Sequence, residues 1–168
     1  MDTKKSMLIF VVEDNLLFNQ MVCEYLKKHN YTNLKPFTNG NDCIKTVMKG
    51  EYPDIVIQDY FLDDMNGVDV LKAVKKQSKK SEFIFLTANE NIEVAIDSMK
   101  YGAFDYIIKD KGDVLNRLVD KVNKVTRHIL IKKKDKSFRI AMVLIILVLF
   151  LIIISGILLY MFGFIKNA

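Results

Sequence analysis

Residues 140–165 form a run of 26 residues without one charged side chain. As a helix such a run extends about 39 Å at 1.5 Å per residue. The hydrocarbon core of a bilayer is roughly 30 Å thick and about 20 residues cross it. Core helices of globular domains are shorter and keep a polar face. The segment is therefore expected to be a transmembrane α-helix, and any folded domain must be built from the residues before it. About 130 residues are enough for one sound hydrophobic core.

Charge follows the same division. Residues 1–131 hold 19 Lys+Arg and 19 Asp+Glu. Beyond them Lys132, Lys133, Lys134, Lys136, Arg139 and Lys166 face Asp135 alone, so the whole net charge of +5 flanks the apolar run. Five basic residues precede the run and one follows it. That is a topology and lipid-headgroup signal rather than a nucleic-acid footprint, so membrane lipid is an expected partner and nucleic acid is not. The positive-inside rule places the first domain in the cytoplasm, with a single pass through the cell inner membrane. Residues 1–7 are polar and lack the pattern of a signal peptide. Cys23 and Cys43 have no CxxC spacing and read as reduced packing residues. His29 and His128 lie far apart and form no metal-ligand pattern. The expected organisation is a folded domain over 1–131, a basic juxtamembrane segment over 132–139 and a membrane helix over 140–165.

Within the first domain, short apolar runs alternate with segments at helical spacing. MLIFVV at 7–12, DIVIQ at 54–58, EFIFL at 82–86 and the run at 104–108 read as buried strands. Residues 33–37 read as a weaker strand, and Pro36 suits only an edge position. Residues 16–28 place apolar side chains at 17, 18, 21, 22, 25 and 26. Further helices are predicted over 41–49, 67–76 and 92–99, and from 113 onward. Five alternations of strand and helix imply an α/β fold, a five-stranded parallel sheet doubly wound with helices on both faces. In the last helix Leu115, Leu118 and Val122 fit the core face. Val125 and Ile129 are expected past the end of the sheet, where they could continue the stripe as a two-helix seam. No Gly or Pro falls between Gly112 and Gly156, so this helix is expected to run on into the apolar segment.

In open sheets of this type the ligand site lies beyond the carboxyl ends of the strands. Glu13-Asp14, Asp59, Thr87 and Lys109 each directly follow one of the four strong runs. They are expected to converge although nearly 100 residues separate the first from the last. Clustered carboxylates repel and need a cation, and all-oxygen ligation suits Mg²⁺. An aspartate oxygen that attacks a phosphoryl group forms an acyl phosphate. A metal and a lysine would neutralise the charge on the transferring group, and a Thr87 hydroxyl could complete its coordination. Taken singly, each residue has an ordinary role: Glu13 or Asp14 as a helix cap, Asp59 or Thr87 in a turn, Lys109 as a surface cation, Tyr106 in the core. The joint set points to phosphoryl transfer.

The stretches VVEDN at 11–15, IQDYFLDDMNG at 57–67, FLTA at 85–88 and FDYIIKD at 104–110 resemble, in their combined order and spacing, the bacterial two-component response-regulator receiver domains. The resemblance covers about residues 6–131. It implies the flavodoxin-like strand order 2-1-3-4-5. Position by position, it implies that Asp59 is the phosphoacceptor. Asp14 would bind Mg²⁺ directly, Glu13 largely through water, and Phe61 through its backbone carbonyl. Lys109 would pair with the phosphoryl oxygens, Thr87 and Tyr106 would form the switch pair, and Ala88 would leave room for the phosphoryl group. Phe61 and Asn89 would flank the route of a hydrolytic water. Two positions depart from the family pattern: Asp63 and Asp110 stand where proline is usual, the second in a cis peptide after the lysine. There is no GxxxxGK[ST] phosphate loop. The chain is thus expected to be no enzyme beyond self-phosphorylation from small donors and self-dephosphorylation, and to take its phosphoryl group from a sensor histidine kinase or phosphotransfer protein. Residues past 131 leave no room for a DNA-binding or catalytic output domain. The expected output is therefore a protein–protein interaction, a homodimer at the membrane being one form of it. A phosphate sink or relay intermediate and a non-phosphorylated membrane adaptor are the alternatives.

Overall fold

The computed structural model describes residues 3–88, 92–109 and 112–166. Asn89 and Asp110 lie outside these described residues. The chain divides into two compact units, Met1–Arg127 and His128–Ala168. In chain order the elements are α1 (Thr3–Ser6), β1 (Ile9–Val12), α2 (Leu16–Lys28), β2 (Leu34–Phe37), α3 (Gly40–Met48), β3 (Ile55–Asp59), α4 (Gly67–Gln77), β4 (Glu82–Thr87), α5 (Ile92–Lys100), β5 (Asp105–Ile108) and α6 (Val114–Lys166).

The five strands are all parallel and lie in the order β2-β1-β3-β4-β5, as expected. Every residue of β1 and β3 is buried, which is why these strands are solidly apolar rather than alternating. One set of side chains, including Phe10, Val12, Val56, Phe83 and Phe85, packs with Cys43 and Val47 of α3 and Val70, Leu71 and Val74 of α4. The intervening residues Ile9, Val11, Ile55 and Ile57 point to the other face and are equally buried. Burial pushes the Cys43 thiol up to about 12 and the Cys23 thiol upward as well. Both are free and buried, which makes them packing residues with little thiolate character. Pro36 sits on the edge strand β2, opposite Val11, where a missing amide proton costs least.

The turns leaving β1, β2 and β3 share one device. Asn15, Asn39 and Asn66 each have extended backbone and accept a backbone N–H of the helix that follows: Phe18, Asp42 and Val68, at 3.0, 2.8 and 2.9 Å. Each satisfies one amide that the first helical turn would leave unpaired. The helices thus begin within a few residues of the strand ends, close over the site.

Two faces differ from the sequence-based expectation. In α2 the buried residues are Asn19, Val22, Cys23 and Leu26, while Leu17 is 78% exposed. The stripe is rotated because Asn19 goes inside. Its Nδ2 donates to the carbonyls of Glu13 and Phe37 at 3.0 and 2.8 Å, and so ties the ends of β1 and β2 together. In α6, Val125 and Ile129 are buried along with Leu118 and Val122. Tyr31, fully buried after α2, donates to Asn123 at 3.0 Å and shares a 3.1 Å hydrogen bond with Thr126. Val125 therefore belongs to the first unit's own core and presents no free seam for a second helix.

In the second unit, the side chains of 140–154 that are described are exposed. Among the described residues this is the one helix long and apolar enough, by length and composition, to cross a membrane.

Candidate functional site

The strand order reverses between β1 and β3, and the carboxyl ends of these two strands meet there. Glu13 follows β1, its amide donating to Phe37 at 3.0 Å. Asp59 is the last residue of β3 and lies opposite Leu86 of β4. Carboxylate oxygens of Glu13, Asp14 and Asp59 all lie within 4.8 Å of one another. Lys109 follows β5 and reaches across the sheet end. Its Nζ is 2.6 Å from Glu13 Oε2 and 2.6 Å from Asp59 Oδ2. The Phe18 ring of α2 lies 4.7 Å from the same ammonium, a cation–π contact. Residues 96 positions apart are thus in direct contact.

Burial sets the electrostatics. It pushes the Glu13 carboxyl up to about 7, outweighing the Lys109 hydrogen bond that opposes it. It raises Asp59 too, against the pull of Lys109 and the Phe61 amide. For Lys109 burial acts downward, but the bonds to Asp59 and Glu13 outweigh it and hold the ammonium above the ordinary lysine range. Three acidic groups with one lysine leave negative charge uncompensated, in a place where water screens poorly. The all-oxygen donor set fits a hard divalent cation such as Mg²⁺.

The loop that follows Asp59 is braced from below. Gly67 donates to Tyr60 O at 2.7 Å, and a Cβ on Gly67 would stand 2.3 Å from the Asp59 carbonyl oxygen. Only glycine lets α4 start so close to the strand end. Asp64 accepts from the Gly40 and Asn41 amides at 3.0 and 2.9 Å. Slight burial pushes Asp64 up, but these bonds outweigh it and hold the carboxyl below its usual range. This tie pins the loop to the start of α3, one residue after Asp63. Gln58, fully buried, caps the Asp59 carbonyl with its Nε2 at 2.7 Å.

The remaining sequence-predicted residues fall at the rim. Thr87 ends β4 and is buried, and its carbonyl accepts from the Lys109 amide at 2.8 Å. Ala88 follows it and is exposed. Tyr106 is half-buried on β5 and packs against the core cluster. Phe61 is 53% exposed, its ring edge-on to Tyr60 at 4.8 Å. Sequence reasoning missed Asn19, Gln58, Asp64 and the Phe18 contact. Phe18 was legible only as part of an apolar stripe. Asn19 could have been flagged as a polar residue interrupting one.

Comparison with known proteins bears on the fold and the family. A family model described as the response regulator receiver domain matches residues 9–123. The chemotaxis protein CheY of Thermotoga maritima is 29% identical over 119 residues, covering 71% of this chain and 97% of that one. The regulatory protein LuxO of Vibrio cholerae is 41% identical over 70 residues, covering 42% of this chain but only 15% of LuxO. Among solved structures, the signal receiver domain of a LuxO repressor protein from Vibrio parahaemolyticus superimposes with a TM-score of 0.68 at 24% identity, over 76% of this chain and 95% of that one. A CheY-like receiver domain from Methanospirillum hungatei gives 0.68 at 19%, over 75% and 98%. At these identities the structural likeness speaks for the fold alone, whereas the family match spans most of the chain. With its five-stranded parallel sheet and an acidic cluster at the strand ends, the chain belongs to the response regulator receiver domain family of two-component phosphoacceptors.

Proposed function

We propose that this chain is a membrane-tethered receiver that accepts a phosphoryl group on Asp59. The observation that carries the proposal is the bridging of Glu13 and Asp59 by Lys109, with Asp14 in the same cluster. Asp59 is the nucleophile because its carboxylate ends the central strand β3, lies against the lysine and borders the strand-order reversal. One of its oxygens attacks phosphorus. The P–N bond of a phosphohistidine on a kinase or phosphotransfer protein breaks, its electron pair stays on the imidazole nitrogen, and a proton follows. Lys109 neutralises the phosphoryl oxygens. Glu13 and Asp14, together with Asp59 and the Phe61 carbonyl, would hold Mg²⁺, which supplies charge neutralisation to the transferring group. Thr87 and Ala88, at the end of β4, would border the phosphoryl group, and Thr87 with Tyr106 of β5 would form the switch pair that the family resemblance implies.

The tether is the segment 140–165 in the inner membrane, with the receiver on the cytoplasmic side. Its support is the missing charge, the exposed apolar side chains and the one-sided basic flank. Phosphorylation then acts through interaction at the membrane surface.

The test uses the full chain in detergent micelles with a small phosphoramidate donor and Mg²⁺. One hydroxylamine-sensitive mass increment of a phosphoryl group is expected on Asp59, and none in Asp59→Asn or in the presence of chelator. Labelling that survives the substitution or the chelator would overturn the assignment.

A further inference from the structure

The peptide unit joining Ile108 to Lys109 is held at both ends. β5 is the outermost strand on its side of the sheet. The Lys109 amide points inward and donates to Thr87 O at 2.8 Å. The carbonyl of the same peptide unit belongs to Ile108 and points the opposite way, toward the open edge of the sheet, where no neighbouring strand donates to it. Arg117, one turn into α6, fills that place: its Nη2 donates to Ile108 O at 2.7 Å. A charged donor makes the stronger class of hydrogen bond.

We propose that Arg117 is a positioning residue for phosphoryl transfer: by gripping the Ile108 carbonyl it fixes the peptide plane from which Lys109 reaches Glu13 and Asp59. The inference rests on Asp59 being the phosphoacceptor. Lys109 has a long side chain and bridges two carboxylates at 2.6 Å each, so its backbone direction matters. A rotation of about 10° in the peptide plane swings an extended lysine ammonium by about 1 Å, and misplacement of that size can cost about a hundredfold in rate. On the inner side the same peptide is bonded to Thr87, so α6, the Thr87 carbonyl and Lys109 form one continuous chain of hydrogen bonds. The described side-chain bond of Arg117 goes to the Ile108 carbonyl, so its effect on the site runs through Lys109.

The experiment compares wild type, Arg117→Ala and Arg117→Lys as full chains in detergent micelles. It measures two quantities: the rate of Asp59 labelling at saturating phosphoramidate and Mg²⁺, and the Mg²⁺ dissociation constant by calorimetry. Arg117→Ala is expected to slow labelling about ten- to a hundredfold while Mg²⁺ affinity stays within about twofold, because the carboxylate donors are untouched. Arg117→Lys is expected to recover most of the rate, since an ammonium can supply the same single bond. The proposal is overturned if Arg117→Ala labels within about twofold of wild type, if Lys is no better than Ala, or if rate and Mg²⁺ affinity fall together. Should Arg117→Ala fail to fold, Arg117→Gln takes its place under the same criteria. A wild-type chain that takes no label at Asp59 would overturn the phosphoacceptor reading itself, and this proposal with it.

Discussion

The strand-end cluster and the 140–154 stretch of α6 invert the usual distribution of side chains in opposite senses. At the cluster, charged groups are inside: Glu13 is 3% and Asp59 8% exposed. In the helix, large apolar groups are outside: Ile140 is 52% and Leu151 64% exposed. Soluble proteins rarely bury unpaired charge and rarely expose a long contiguous apolar surface. Each inversion is costly in the isolated chain, and each names what would relieve it. Excess buried negative charge calls for a cation. An uncharged helical surface calls for lipid. The difference between them is informative as well. The cluster is assembled from the ends of three strands, β1, β3 and β5, through tertiary contact, whereas the helix carries its message in contiguous residues.

The comparison can be broken most decisively at the helix. Charges placed mid-segment, as in Leu147→Arg with Ile152→Arg, each cost about 2.5–3.5 kcal/mol of insertion. Carbonate extraction is expected to leave the wild-type chain in the membrane pellet and to release this double variant. Wild type in the supernatant would show that the exposed apolar surface is not lipid-facing, and the parallel between the two inversions would fail.

A smaller effect is expected from Gly67→Ala, which drives a methyl toward the Asp59 carbonyl oxygen, 2.3 Å away. Overpacking of this kind costs about 1–3 kcal/mol. Denaturant unfolding is expected to show that loss, and Asp59 labelling is expected to slow as the strand end shifts. A variant as stable and as readily labelled as wild type would mean that α4 can retreat without cost, and that the site is less tightly braced than its contacts imply.

The smallest effect is a pH dependence that separates the two regions. Burial raises Glu13 from its ordinary value to about 7. Between about 4.5 and about 7 the folded state therefore holds this proton more tightly than the unfolded chain. In the metal-free protein the group's contribution to stability is greatest below 4.5 and declines as pH rises through about 7. A divalent cation needs the carboxylate, so it must displace the proton. The rise in Tm produced by Mg²⁺ is expected to be larger at pH 8 than at pH 6, and Glu13→Gln should flatten the difference. Equal Mg²⁺ stabilisation at both values would argue that Glu13 does not take part in holding the cation. The helix, with no Asp, Glu, His, Lys or Arg in 140–165, should show no such dependence in its membrane partition between pH 6 and pH 8.

How far the molecule was legible beforehand varies from element to element. The buried strands β1, β3 and β4 announce themselves because a strand covered on both faces must be apolar at every position. The polar residues that end them are conspicuous for the same reason. The face of α2 was less legible. Leu17 and Phe18 look like core residues by spacing, yet Asn19 takes the inward position, where its amide reaches the carbonyls of Val11, Glu13 and Phe37 at the ends of β1 and β2. Val125 looked free because nothing local says that Tyr31, 94 positions earlier, folds beneath α6 and bonds its neighbours Asn123 and Thr126.

The amino-acid sequence by itself determined the class of fold, the catalogue of strand-end groups and the presence of a span-length apolar segment. All three are local: they follow from hydrophobic periodicity, from residue type at a strand boundary and from the count of uncharged residues in a row. Only the tertiary structure decided that Lys109 would lie 2.6 Å from both Glu13 and Asp59, that Gly67 would admit no side chain, and that Arg117 would hold the peptide on which Lys109 stands. Those outcomes depend on which chain segments meet across the sheet. No propensity encodes such meetings, because the distances and the burial that shift these carboxylates exist only once the strands are side by side.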